Sequence, residues 1–283
     1  PLMSVPSAEL RALRLETFPL ETPPSGGPVS NAGEFVVTRV LASVTPAGEH
    51  EVTGRFVRVE LPGKDRVLAL AEVQVFGNGD NLAPTAEVSQ SSTAGDSVAK
   101  FASDGKTNGN GEKANVAAIT QASENPWWEL DLRTTQAVER VVVWNRTDGQ
   151  WPERLAGARV SLLDEKRAVV WTTTLAQAPA VSADLAVSGV KPIRWVSVHA
   201  DVTEDGFSAD SVLSARGGRE RGWAVGAQSG KPHQLVVLPD APVTVPAGAT
   251  LTVTIEQLSK KKNHTLGKFR IATSTDARAG ELT

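Results

Sequence analysis

An all-β chain of β-sandwich type, long enough for two domains, is the fold class this sequence predicts. Three observations carry the prediction. Apolar residues recur at every second position through most of the chain. The alternating runs are short and bounded by Gly, Pro, Asn or Asp. The length, 283 residues, suits two ordinary domains.

Taken in order, the stretch 7–16 is the only helix-like one, and its Leu13 and Leu15 suit a strand equally well. Strands follow at 35–41, 56–61 and 68–76. In the next, Val138, Arg140, Val142 and Trp144 share one face, and Glu139, Val141, Val143 and Asn145 the other. Further runs lie at 158–163, 168–173, 193–199, 234–238 and 268–272. Between the last two, Leu251, Val253 and Ile255 alternate with Thr252, Thr254 and Glu256, the pattern of a half-buried strand. Linker composition marks 22–31, 45–51 and 176–184, and the tail 274–283 reads as loosely held. These breaks predict a middle unit at 51–178 flanked by two outer pieces, 1–50 and 179–283.

Composition removes several function classes. Lys and Arg number 29 against 32 Asp and Glu, a net charge of −3, so no basic excess exists to release counterions from a nucleic acid. No apolar run approaches the roughly 20 residues that span a bilayer, so no membrane insertion is expected. With no cysteine, the chain has no disulfide, thiol nucleophile, Cys-ligated zinc, iron–sulfur cluster or c-type haem attachment. It starts at Pro1 without a basic–apolar leader, as expected of a processed product or a piece of something longer.

Catalytic patterns fail in turn. Ser97-Val98-Ala99-Lys100 has the S-x-x-K spacing without its companion motifs. The run Gly226 to Pro232 is one residue short of a phosphate loop. His50, His199, His233 and His264 share no metal-ligand spacing. Glu129 and Asp131 would share a strand face at a separation a glycosidase could use, but nothing else supports a cleft. The chain is therefore expected not to be an enzyme. Lys260-Lys261-Lys262 reads as a solvated turn.

Between Asn81 and Leu163 a series of ordered motifs stands out. Ser89-Gln90-Ser91-Ser92-Thr93 precedes Ala99-Lys100-Phe101-Ala102-Ser103-Asp104-Gly105. Asn125-Pro126-Trp127-Trp128-Glu129-Leu130-Asp131-Leu132, then Val141 to Asp148, then Glu153-Arg154-Leu155 complete it. This series resembles the fucolectin branch of the discoidin-like, galactose-binding-like sandwiches. The segments 54–63 and 68–77 look like the closing strands of such a domain, placed ahead of its opening strands. The resemblance implies jelly-roll sandwiches, the middle one circularly permuted, which close-lying domain termini allow. The flanks, including Gly222-Trp223-Ala224-Val225 and 263–270, resemble segments of large exported bacterial proteins that also carry haem-c-binding regions, which implies two β-sandwiches, one inserted into the other, with 1–50 and 179–283 forming the discontinuous outer one.

The resemblance implies a saccharide site at Arg146, Asp148 and Arg154; the other reading of these residues is a structural salt bridge under a loop. Guanidinium forks donate to sugar oxygens, and an Asp between them orients them; two Arg would also suit a sulfate or uronate. Five residues separate Asp148 from Arg154, one more than in the family motif, and the family's sugar-binding His falls at about Ile119. Trp151 lies in the loop between the two Arg, where it either stacks on a sugar or folds over its own loop. Trp127, Trp128, Trp144, Trp171 and Trp195 are expected in the core.

Asp104 and Glu72 match carboxylates that hold a structural Ca²⁺ in fucolectins, with carbonyls of Phe101, Lys106 and Val116 at the remaining positions. The turn 78–81 could add oxygens. No Ca²⁺ is expected in the outer sandwich, where the corresponding position falls on Ser214 or Arg216. The function these readings imply is a non-catalytic carbohydrate-binding, lectin-like module of an exported bacterial multi-domain protein, extracytoplasmic in location. The alternative is a structural or assembly module that contacts another protein domain.

Overall fold

A computed structural model of the chain describes residues 2–4, 8–19, 34–110, 116–149, 151–213, 221–261 and 264–282. The linker at 22–31 and the positions Ser214, Arg216 and Lys262 lie outside them. The fold is all-β: strands and short 3₁₀ turns, with no α-helix among the described residues. No helix there is long and apolar enough to cross a membrane.

The backbone divides into two compact units, Glu49–Val190 and the pair Pro1–Gly48 with Lys191–Thr283. In the first, a five-stranded sheet runs Glu87–Gln90, Trp127–Ala137, Thr53–Glu60, Arg159–Leu163 and Val169–Thr174. A four-stranded sheet runs Ser182–Ala186, Arg140–Trp144, Glu72–Gly77 and Asp80–Asn81. Every pairing in both sheets is antiparallel. Alternation places Val57, Val59, Leu130, Val160 and Leu162 of the first sheet, with Val73, Val75, Val141 and Val143 of the second, in one buried cluster. Truncating a leucine there to Ala would cost about 2–5 kcal/mol. Strands 53–60 and 87–90 flank strand 127–137 in the same sheet, so the segments likened to closing and opening strands share one body.

The two ends of this unit lie side by side. Gly189 lies so close to the Glu49 side chain that a Cβ there would stand 2.4 Å from Glu49 Cγ. Glycine is what lets the two ends of the inserted segment pass side by side. Entry and exit differ from the composition-based boundary at 178/179. Ser182–Ala186 pairs in full register with Arg140–Trp144, so the chain leaves the unit only after Val190.

The other unit has a sheet of Leu2–Ser4, Thr250–Glu256, Arg39–Thr45 and Lys191–Pro192. Its second sheet holds Trp195–Ala200, His233–Pro239, Ala12–Phe18 and Lys268–Ser274. Val40, Ala42, Val44, Leu251 and Val253 share a buried cluster with Leu13, Leu15, Leu235 and Val237. The helix-like reading of 7–16 gives way to strands, because Leu13 and Leu15 are buried while Arg14 faces out, a period of two.

The tryptophans divide differently from expectation. Trp128, Trp195 and Trp223 are buried, and Trp171 packs against the core from a half-buried position. Trp127 instead lies under the Arg58 guanidinium, 4.3 Å from its ring centroid, on the outer sheet face. Trp144 donates its indole N–H to Gln74 Oε1 at 3.0 Å. Each occupies the opposite strand phase from its core neighbours, Trp128 and Val143.

Candidate functional site

The strand Arg140–Trp144 runs into a loop that carries all four predicted ligand residues. Asn145 fixes the loop, donating from Nδ2 to the carbonyls of Pro152 (2.9 Å) and Pro179 (2.8 Å). Arg146 follows, buried, with Nε on Asp148 Oδ1 at 2.9 Å and an Nη on Oδ2. This two-pronged pair fixes the Arg146 fork in one orientation. The chain then makes a 3₁₀ turn at Trp151–Leu155. That turn lays the Arg154 guanidinium over the Trp151 ring, 3.7 Å from its centroid, with Arg146 5.8 Å from the same ring. Arg146, Asp148, Trp151 and Arg154 therefore form one cluster, not separated side chains.

The two guanidinium groups differ. Arg146 is neutralised by Asp148, whereas among the described residues Arg154 has no carboxylate partner. Burial, and then the charge of Arg146, hold the Arg154 pKa below the usual arginine value. Trp151, 39 % exposed, resolves its two readings on one side at least: one ring face is covered by its own loop's Arg154.

A second loop, which the sequence did not single out, borders the cluster. Thr147 donates its N–H to the Gly109 carbonyl at 2.9 Å. A Cβ on Gly109 would stand 2.3 Å from Asn145 O, so only glycine permits this approach. The only signal in the sequence is the turn-prone run Asn108-Gly109-Asn110. Ile119 pairs in register with Ala69, and its carbonyl receives Ala94 N and Gln90 Nε2. Its side chain offers no donor.

Glu72 and Asp104, 32 positions apart in sequence, do come together. Glu72 is fully buried; Oε2 accepts the Asp104 N–H at 3.2 Å and Oε1 the Gly105 N–H at 3.0 Å. Burial, and secondarily the Asp104 charge, push the Glu72 carboxyl up to about 7. Asp104 Oδ1 accepts the Lys106 N–H at 2.9 Å, and Oδ2 meets the exposed Lys106 ammonium at 2.8 Å. Trp128 ties the preceding turn, Ala99–Ala102, to the core through a 2.9 Å bond to Ala99 O, and Ser103 Oγ is buried without a partner. Two neighbouring carboxylates, one desolvated, suit a hard cation. No three acidic or histidine side chains converge among the described residues, so carbonyls such as those of Phe101, Lys106 and Val116 would have to complete the shell. The turn 78–81 does not contribute to it. It follows Gly77 at the far end of the strand from Glu72, about 17 Å or more away at the rise of a strand. There it closes instead on Glu139, whose Oε2 accepts the Gly79 N–H at 3.2 Å.

Glu129 and Asp131 do not form a catalytic acid pair. Glu129 is bound by Arg58 (3.1 Å) and by Arg167 (3.0 Å), and Asp131 by Arg55 at 2.8 and 2.9 Å. Arg55 and Arg167 also lie over Phe56, so the outer sheet face is a closed belt of ion pairs. His233 sits between Asp201 Oδ2 (3.0 Å) and Gln228 O (2.8 Å), and His264 pairs with Glu34 at 2.8 Å, both structural placements.

Residues 101–191 match the family model described as the NedA-like, galactose-binding domain of the F5/F8 type C group. The matched stretch holds Arg146, Asp148, Trp151 and Arg154, together with Phe101, Asp104, Lys106 and Val116; Glu72 precedes it. Neither the curated proteins nor the solved structures returned a match. From residue 101 onward, the candidate cluster included, the middle unit thus carries the signature of a galactose-binding-like, discoidin-type β-sandwich domain.

Proposed function

We propose that this chain is a non-catalytic carbohydrate-binding module, with its saccharide site at Arg146, Asp148, Trp151 and Arg154. The observation that carries the reading is the convergence of two guanidinium groups and an exposed indole on one loop, inside the stretch that matches a galactose-binding family model. Asp148 keeps the Arg146 fork oriented before any ligand arrives, so little ordering entropy is lost on binding. A few exposed hydrogen bonds add little net energy, so a single site would bind weakly and would depend on several copies for avidity. The acids with the spacing of a hydrolase pair are consumed by arginines, which favours binding over hydrolysis.

The same reading places a structural Ca²⁺ between Glu72 and Asp104, where a cation would offset the cost of a buried carboxylate beside a second one. It treats the middle unit as a permuted sandwich inserted into an outer one, supported by the adjacency of Glu49 and Gly189. The extracytoplasmic, exported setting rests on the resemblance of the flanks. The partner is then a glycan and not a nucleic acid, in line with the net charge of −3. The test is a glycan-binding screen with and without Ca²⁺, run beside Arg146→Ala. Binding that is lost while the variant still melts as a folded chain supports the site; binding that survives unchanged removes Arg146 from it. The assembly alternative gains if no glycan binds.

A further inference from the structure

The charge of the ligand cluster is not balanced, and this bears on which saccharide it takes. Arg146 spends Nε and one Nη on the two oxygens of Asp148, so that pair carries no net charge. Arg154 is different. Among the described residues no acceptor takes any of its N–H groups, and no acid stands against it. The charge of a second cation, Arg146, acts on it. Its contact is the Trp151 ring, 3.7 Å from the guanidinium carbon, and a guanidinium stacked this closely keeps its in-plane N–H groups for other acceptors. The side chain is half-buried, so a missing counter-charge costs more here than at an open surface. A fork with five donors, held over an indole and beside a second guanidinium, is built for an anionic oxygen group.

We propose that the saccharide bound at this site is acidic, its carboxylate or sulfate taken by Arg154 while Arg146 donates to neighbouring hydroxyl or ring oxygens. This rests on the saccharide-binding reading above and goes beyond it in naming the ligand class. Carboxylate and sulfate share the required chemistry, a compact group of charged oxygens that accepts two parallel N–H bonds. A neutral hexose would leave Arg154 half-desolvated and unpaired.

The experiment is titration calorimetry of the full chain with four probes: oligogalacturonate, its fully methyl-esterified form, neutral galactan of equal length, and sulfated galactan. Free sulfate is the fifth arm. The expected result is binding of oligogalacturonate or sulfated galactan at least tenfold tighter than of the ester and the neutral chain. That preference should fall several-fold between about 0.05 and 0.5 M salt, as screened charge contacts do. Arg154→Gln should bring acid and ester to within twofold of each other, and Arg154→Lys should retain part of the preference, since it keeps the charge without the fork. A melting curve confirms that each variant is folded. Equal binding of acid and ester, or a preference that survives Arg154→Gln, overturns the acidic assignment and leaves the saccharide site standing. Free sulfate binding as tightly as the sulfated galactan also overturns it, since the site would then read an anion alone. No binding by any saccharide probe overturns the underlying reading, and the assignment with it.

Discussion

The Arg154 guanidinium covers one face of Trp151, with its carbon 3.7 Å from the ring centroid, so the indole acts on its own loop before it acts on any ligand. A cation over an exposed aromatic ring contributes about 0.5–1 kcal/mol, enough to choose one conformer of a long side chain but not to stabilise a fold. Trp151→Ala is therefore expected to change unfolding free energy by less than about 1 kcal/mol while weakening saccharide binding several-fold through the freed Arg154. Trp151→Phe keeps a ring face and should restore most of the affinity. Calorimetry beside urea unfolding reads both. Failure of Phe to restore binding would show that the indole touches the ligand directly.

Arg146 and Asp148 are a second kind of pair, with both side chains only about one-tenth exposed, at 10 % and 11 %. Removing one partner leaves a poorly hydrated charge, which costs about 3–5 kcal/mol, whereas removing both costs less than the sum. Arg146→Ala and Asp148→Ala should each lower the urea midpoint. Their double-mutant cycle should return a coupling of about 1–3 kcal/mol. Additive effects would mean that the pair does not hold the loop.

Glu129 tests the division between structure and function. It is buried under Arg58 and Arg167, far in role from the ligand loop. Glu129→Ala should destabilise the chain by about 3 kcal/mol and leave glycan affinity within twofold of the original. Loss of glycan binding at full stability would put the acid belt into the site after all.

Glu72 sets a pH dependence whose sign follows from burial. Its carboxyl is raised from 4.5 to about 7, so the folded chain keeps a proton that the unfolded chain releases. In chelator, the contribution of Glu72 to stability is greatest below the ordinary carboxylate range and is lost as pH rises from there to about 7, by about 3 kcal/mol at 1.36 kcal/mol per unit. A bound cation would compete with that proton. Ca²⁺ at a hundredfold excess over its dissociation constant should therefore add about 2.7 kcal/mol at pH 8 and far less at pH 5. Urea midpoints at the two pH values, with Ca²⁺ and with chelator, check this. Identical midpoints at pH 8 would remove the cation from the account.

Gly109 offers a purely steric test. Gly109→Ala forces a Cβ to 2.3 Å from Asn145 O, so the loop must withdraw from the strand end that carries Arg146. A cost of about 1–3 kcal/mol and a tenfold or greater loss of saccharide affinity are expected. Unchanged binding would show that the 105–110 loop does not shape the site.

Most of the fold can be read from the sequence because strand periodicity is a local property. Leu251, Val253 and Ile255 announce their strand, and Val141 and Val143 their inward face. What periodicity does not reveal is which strands meet. Ser182–Ala186 looks like linker by composition, yet pairs along its length with Arg140–Trp144, and that pairing alone moves the unit boundary to 190. Trp127 and Trp128 illustrate a second limit: the family likeness marks both as core, but adjacent strand residues must point to opposite faces. At the site, the Arg146–Asp148 pair follows from their spacing. The Arg154–Trp151 stack depends on a 3₁₀ turn that no motif announces, and the meeting of Glu72 with Asp104 came through the family likeness, not through the spacing. Gly109 was invisible because its importance lies in the backbone 36 positions away that it touches, at Asn145.

The measurement that bears most directly on the saccharide site is ¹H–¹⁵N NMR of the labelled chain during titration with a galacto-configured oligosaccharide. The Arg Nε–H and Trp indole resonances are followed together. The account predicts shifts at Arg146, Arg154 and Trp151, with the indoles of Trp128, Trp195 and Trp223 unmoved. Shifts confined to Trp195 or Trp223, or saturable binding with Arg146 and Arg154 unperturbed, would contradict it.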